Sequence, residues 1–479
     1  MKQTLSVLIL AAMLCQLAAC GASDTPAVDT TAAGTTEPEE TTIAYVPAEL
    51  DYGGETISFF IRENSATMPE FFADEQSGEI INDKIYARNL KVQEDLNVKF
   101  TFRQEKNSWN ERKTFADTLG SSVLAGDGAY DIVSGYSMSL AILAERGLLC
   151  DLNSTAYLDF SKPWWAQSLT DQVTVNGKLF FATGDISTYT MYCMYGIYFN
   201  KNLLTDYGLE EPYGLVRDGK WTLDAMIGMT KDVYQDLNNN QTKDEFDQFG
   251  SVNAVSAIEA YYFTSGLHTT ELDEKGIPYL SEDWVSEKAA DVYETMRAFL
   301  NDTNDGWIIP DNVSSPFKDN RSLLTISTMS LGNSLREASF DYGIIPTPKY
   351  DEAQENYITH LTSGYSLYGI PMDSRDPDMV SAVLESLAGE GYTNVSPALL
   401  EVVMKEKYAR DDDTDEMFDL IKSNLYFEFG RVFTANLDNL TYSIFRSGLD
   451  SNRGTWISTV NANMTRLNKR LETLLESFE

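Results

Sequence analysis

Histidine is nearly absent: His268 and His360 are the only two in 479 residues. Neither lies near a metal-like partner in sequence, which argues against a His-based zinc site and a Ser-His-Asp triad. Basic residues are scarce too, 36 Lys and Arg against 73 Asp and Glu, for a formal charge of −37. A surface that acidic repels phosphate backbones and anionic lipid, so nucleic acid is excluded as a partner. No G-x-S-x-G, H-E-x-x-H or phosphate-cradling glycine loop occurs. Paired carboxylates for glycoside hydrolysis can be imagined anywhere among so many acids and carry no weight. Long apolar runs are missing beyond Leu5 to Leu17, which is itself too short to span a bilayer. Cysteines number four. Cys15 sits in that run, and Cys150 and Cys193 either pair in an oxidising compartment or remain buried thiols.

What is present begins with a leader. Lys2 gives a short positive region, the apolar run follows, and Leu17-Ala18-Ala19-Cys20 matches a bacterial lipoprotein cleavage box with Cys20 as lipid acceptor. A plain secretory peptide with a coincidental cysteine is the alternative. A lipid on one residue anchors a domain to a membrane face without inserting it. The remainder is expected to be extracytoplasmic and soluble. Residues 21–50 are rich in Thr, Ala, Asp, Glu and Pro and cannot bury enough surface to offset their ordering entropy. They read as a disordered tether reaching roughly 30 Å. About 430 residues remain, which suits two lobes.

Glu55 to Arg62 (ETISFFIR), Val98 to Arg103 (VKFTFR) and Tyr130 to Val133 read as strands. Helical patterns separate them, at Ile80 to Leu96 and again through Leu124. This β-α-β-α-β order predicts a parallel sheet with helical crossovers. Asp236 to Asp247 (DLNNNQTKDEFD) places oxygen side chains at Asp236, Asn238, Asn240, Asp244 and Asp247, with the Thr242 carbonyl between them. That is the 1, 3, 5, 7, 9, 12 spacing of an EF-hand Ca²⁺ loop. Gln241 stands where the turn glycine belongs and Asp247 where a bidentate Glu belongs. Chance spacing in an acidic chain competes with a structural Ca²⁺ site that would brace the second lobe.

The stretch from Val173 to Leu204 (VTVNGKLFFATGDISTYTMYCMYGIYFNKNLL) opens with a hairpin signal at Asn176-Gly177. A Gly184-Asp185 break follows, then a tyrosine-rich run closing on Tyr198-Phe199-Asn200-Lys201. Half-buried strand is one reading of its Tyr/Met alternation, and a crossover strand between two lobes is the other. Further phrases are Gly126 to Leu152, Lys220-Trp221-Thr222-Leu223-Asp224, and Asp341 to Lys349 (DYGIIPTPK). Glu401 to Asp411 and Asp415-Glu416-Met417 add a C-terminal one. In these phrases the chain resembles the extracellular solute-binding proteins of ABC importers, family 1, the sugar-binding type.

That resemblance implies an α/β, two-lobed periplasmic-binding-protein-like fold of type II, each lobe a mixed sheet flanked by helices, with hinge crossovers. The boundaries it implies are 51–184 and 331–387 for lobe 1, and 185–330 and 388–479 for lobe 2. Arg321 to Met329 would recross toward the first lobe. It implies a monomer that traps a carbohydrate, as an oligosaccharide, and delivers it to ABC permease subunits without covalent chemistry. Ligand residues should come from strand-end loops facing the cleft: Glu63, Asn64, Tyr136, Ser137, Asp185, Tyr189, Met329 and Tyr365. Trp307 and Trp456 are candidate stackers from the second lobe, and each aromatic has core packing as its alternative. Trp164-Trp165 reads as packing first. Two other functions stay open: a cell-surface glycan-degrading enzyme, and a non-transport receptor for glycan or peptide on the same fold.

Overall fold

The structure is a computed structural model and describes residues 44–63, 65, 68–310, 315–452 and 454–479. The leader, Cys20, most of the expected tether and Asn64 lie outside the described residues. The chain divides into two units, Met1–Ala44 and Tyr45–Glu479, and the second holds every strand and helix of the described residues.

Strand β1 (Glu55–Arg62) buries Ile57, Phe59, Phe60 and Ile61, so both of its faces are covered, as a central strand requires. Helix α1 (Ile80–Leu96) ends on Asn97, which takes the left-handed conformation (φ 48°) that Asn tolerates at a C-cap. It leads into β2 (Val98–Glu105), whose alternating burial marks a sheet edge. Helix α2 (Arg112–Ala125), β3 (Ile132–Tyr136) and α3 (Ser137–Glu145) follow. β1 pairs in parallel with both β2 and β3, so the expected parallel unit is present. At the hairpin, Asn176 (φ 53°) and Gly177 (φ 76°) make the positive-φ turn their dipeptide predicts, and Val175 bridges Lys178.

The chain leaves the first sheet at Ala182, which bridges Tyr368. Tyr189–Cys193 is a short helix, so the tyrosine-rich run is strand only from β4 (Tyr195–Asn200) onward. Helix α4 (Lys201–Tyr207) is capped by Asn200, whose side chain accepts from the Leu203 N–H. Helix α5 (Leu223–Met229) is capped by Thr222, which accepts from the Ala225 N–H. Trp221 is wholly buried and its indole N–H donates to the Pro346 carbonyl at 2.9 Å. Strand β5 (Phe249–Ala254), the small hairpin β6 (Thr270–Leu272) and β7 (Pro278–Leu280), helix α6 (Glu287–Arg297), β8 (Gly306–Ile309), β9 (Ser322–Thr328) and β10 (Tyr342–Ile345) complete this half. The second sheet runs β10-β4-β9-β5-β8, and the first runs β11-β3-β1-β2 with β11 (Ser366–Gly369) antiparallel to β3.

Two expected boundaries move. Ser322–Thr328 is the middle strand of the second sheet, not a recrossing: Leu323, Leu324 and Ile326 are buried, and an apolar run reads alike in either role. β10 also belongs to the second sheet, as the edge strand that Pro346 and Pro348 fit. The return crossing comes later, where Leu361 bridges Met194 and the Thr362 N–H donates to the Cys193 carbonyl at 3.1 Å. The outgoing and returning segments therefore lie side by side. Helix α7 (Pro377–Glu390) and the wide turn after it pack on α1, so residues past 388 still cover the first lobe. The C-terminal helices α8 (Asp412–Ser423), α9 (Leu440–Ser451) and α10 (Met464–Glu476) follow, with α8 against β10 and α9 against α6. Cys150 and Cys193 are both free, and burial pushes the Cys193 thiol up to about 12.

Candidate functional site

β1, β2, β3 and β5 bring their carboxyl ends toward the seam between the sheets, where open α/β folds place ligands, while the antiparallel β11 and β4 begin there. At the end of β2, Asn107 Oδ1 accepts the Tyr136 N–H at 2.6 Å, and Nδ2 donates to Ser139 Oγ at 2.8 Å. This ties the loop carrying Trp109 to the end of β3 and the start of α3. At the end of β1, the Arg62 guanidinium donates to the Gly364 carbonyl at 2.7 Å and lies 3.9 Å over the Tyr189 ring. It fastens that strand to the return crossing.

Two cavities open along this seam. One, of about 480 Å³, is walled by Ser65, Pro69 and Ile81 from the first lobe, and by Asn333 and Arg336 beyond β9. The other, of about 250 Å³, takes Trp109, Tyr136 and Met138 from the first lobe and Ser256 from the end of β5. Thr362 and Ser363 of the return crossing, with Arg431, Tyr442 and Arg446, close it. Trp109 is 39% exposed and its ring meets Tyr442 edge-on at 6.4 Å. Arg431 and Arg446 stand over the Tyr442 ring at 4.9 and 4.3 Å. Both bind one buried carboxylate: Arg431 Nη2 reaches Glu259 Oε1 at 3.2 Å, and Arg446 Nε reaches Oε2 at 3.0 Å. Burial raises the Tyr136 and Tyr442 hydroxyl pKa values, and the neighbouring guanidiniums oppose the shift.

Of the residues expected from sequence, Tyr136 lines the smaller cavity. Ser137 lies beneath it, its hydroxyl donating to the Ser363 carbonyl at 2.9 Å. Tyr365 is buried against Phe427, and Tyr189 is taken up by Arg62. Glu63 is exposed and lines neither cavity. Asp185 sits apart, beside Trp164 and Trp165, accepting the Ser396 hydroxyl, and burial lifts its carboxyl to about 6. Met329 and Trp456 are core residues: Met329 is wholly buried, and Trp456 stacks on Trp284 at 5.8 Å with its N–H on the Trp284 carbonyl. Trp307, on the outer strand β8, stacks on Phe249 at 4.8 Å. Trp164 and Trp165 are packing residues that donate to Glu385 at 3.0 and 2.9 Å. Sequence reasoning missed Trp109, Arg431, Tyr442 and Arg446. The loop after the second strand was a findable signal for Trp109, whereas the C-terminal trio carries none.

In the Asp236–Asp247 loop, Gln241 takes the left-handed conformation (φ 59°) that the absent glycine would have supplied. Asp236 accepts the Gln241 N–H at 2.8 Å and Asp244 accepts the Asn240 amide at 2.7 Å. Asp247 is wholly buried; one oxygen accepts the Tyr234 hydroxyl at 2.9 Å and the other has no partner among the described residues. Among the described residues no three His, Cys, Asp or Glu side chains gather as a metal-holding group. Any cation there would need the two asparagine carbonyls and the Thr242 backbone.

No family model matches the sequence, and no curated protein matches it. Solved structures do. An ABC substrate-binding protein from Listeria monocytogenes in complex with cycloalternan superposes with a TM-score of 0.56 at 14% identity, covering 88% of this chain and 99% of that one. A sugar transporter protein from Rhizobium etli, in an open conformation, gives 0.58 at 13% identity over 87% and 99%. The galacto-N-biose/lacto-N-biose I-binding protein of an ABC transporter from Bifidobacterium longum, in complex with lacto-N-biose, gives 0.56 at 13% over 88% and 98%. At such identities the likeness is one of fold. The chain has the two-lobed, periplasmic-binding-protein-like α/β fold that these sugar-binding proteins share. Among the described residues no helix is long and apolar enough to cross a membrane.

Proposed function

We propose that the chain is the capture component of a carbohydrate importer. It binds a carbohydrate, in oligosaccharide form, between its lobes, closes on it about the paired crossings, and delivers it to the permease subunits of an ABC importer. The observation that carries this reading is the smaller seam cavity. Its walls come from strand ends of both sheets, and its rim offers the exposed Trp109 ring for sugar C–H surfaces beside polar groups for hydroxyls. The ligands bound by proteins of the same fold support it. The reading includes an extracytoplasmic monomer held at the cell membrane by lipid on Cys20, with no covalent chemistry. It also includes Ca²⁺ as a structural ion of the second lobe, held by Asp236, Asn238, Asn240, Asp244, Asp247 and the Thr242 carbonyl. The buried, unpartnered oxygen of Asp247 is the feature of the loop that suits a cation.

The test is a thermal-shift screen of the full chain against saccharides, amino acids and peptides, with Ca²⁺ or with chelator. A ligand at a hundred times its Kd adds about 2.7 kcal/mol to the folded state. A saccharide should raise the melting temperature and be recovered unchanged. Consumption of the saccharide would instead point to an enzyme, and a response to peptides alone to a peptide receptor. Ca²⁺ should raise the melting temperature without any saccharide, and a flat response would remove the ion from the proposal.

A further inference from the structure

The smaller seam cavity is positively charged in a chain whose formal charge is −37. Among the described residues two arginines line it and no acid does. The carboxylate that binds both is Glu259, behind them and 0% exposed, so the pair keeps a surplus positive charge. Arg431 is 8% exposed, and its donors are not all used. Nη1 goes to Ser363 Oγ and Nη2 to Glu259, while Nε, itself sealed from solvent, has no partner among the described residues. A buried guanidinium that shares one carboxylate with a second arginine is costly unless something else meets the charge. Two further features have the same sign. Helix α3 starts at this cavity, with Met138 lining it, and presents its partial positive end there. Arg112 stands 3.9 Å over the Trp109 ring at the rim. Arg446 holds Glu259 with both Nε and Nη2, so its fork is taken. A neutral sugar would leave the surplus charge unanswered, whereas a carboxylate or sulfate supplies negative oxygens that meet it by charge and single hydrogen bonds.

We propose that this cavity recognises an anionic group on the carbohydrate, the carboxylate of a uronic acid or a sulfate ester, through Arg431 and Arg446, with the exposed Trp109 supplying the ring surface. The inference rests on the carbohydrate reading above and narrows its substrate class.

The experiment is titration calorimetry of the full chain with an α-1,4-linked trigalacturonate, a sulfated galactose trisaccharide and the neutral maltotriose and galactotriose, repeated on R446Q and R431K. An acidic trisaccharide should bind at least tenfold more tightly than either neutral one, and whichever acid wins identifies the group. R446Q should remove most of that preference while keeping the wild-type melting temperature to within a few degrees. If R446Q does not fold, R431K, which keeps the charge but loses the guanidinium's hydrogen bonds to Ser363 and Glu259 that hold it in place, should still weaken the acidic ligand selectively. Neutral trisaccharides binding as tightly as the acidic ones would overturn the anionic inference and leave the carbohydrate reading standing. Failure of every saccharide, charged or neutral, would overturn both.

Discussion

At the scale of single residues, Glu385 shows how burial and hydrogen bonding compete. It is 1% exposed, and both tryptophan N–H groups donate to it. Those donors favour the carboxylate, yet burial outweighs them and lifts the pKa from an ordinary 4.5 to about 7. The folded state therefore holds a proton that the unfolded state releases. Below pH 4.5 both states are protonated and the group imposes no penalty. Stability falls as pH rises from 4.5 to about 7 and is level above that. The full effect is on the order of 3 kcal/mol. E385Q removes the titration, so the difference between wild type and E385Q in denaturant unfolding should shrink across that window and then stay constant. Parallel curves would mean that the carboxyl titrates alike in both states. None of this is legible in the sequence. The Pro163-Trp164-Trp165 phrase announces buried rings, but the acid that receives their N–H groups lies more than two hundred residues away. Arg431, Tyr442 and Arg446 escaped for the same reason: tertiary packing, not spacing, brings them to Tyr136 and Trp109.

At the scale of elements, the first crossing depends on close backbone approach at Gly184. Trp165 bridges Gly184 there, and the Asp185 N–H donates to the Trp164 carbonyl at 2.9 Å. A Cβ on Gly184 would stand 2.1 Å from that carbonyl oxygen. A backbone oxygen cannot swing aside as a flexible side chain does, so G184A should cost about 1–3 kcal/mol. Gly214, in the short helix Tyr213–Arg217, has nothing within 4 Å of such a Cβ. G214A should be neutral or stabilise by up to about 1 kcal/mol. Chemical denaturation of the two variants checks the pair, and equal midpoints would show that the segment yields freely. Elements were legible where periodicity is unambiguous. The β1-α1-β2-α2-β3 unit, the Asn176-Gly177 turn and the Thr222 cap each follow from local pattern. Tyr189–Cys193 was not, because alternating Tyr and Met fit a strand face as well as one helical turn. β9 was not, because a middle strand and a crossover are equally apolar.

At the scale of the whole molecule, the charge has opposite signs far from the cleft and within it. A formal −37 sets the field that a distant ligand meets, whereas Arg431, Arg446 and the start of α3 set the field inside the smaller cavity. For the anionic carbohydrate inferred above, these act on different rate constants. Long-range repulsion slows encounter and is screened as the Debye length falls from about 30 Å at 0.01 M salt to about 8 Å at 0.15 M. Contact attraction in the cavity is made at hydrogen-bond distance and governs escape. Raising salt over that range should therefore speed association of trigalacturonate, the reverse of an electrostatically steered ligand, and also speed its dissociation. A neutral trisaccharide should show neither change. Stopped-flow fluorescence of the rim residue Trp109 against the same protein carrying W109F separates the two rates. An association rate that falls with salt would mean that the positive cavity projects beyond the acidic surface and steers its ligand from a distance.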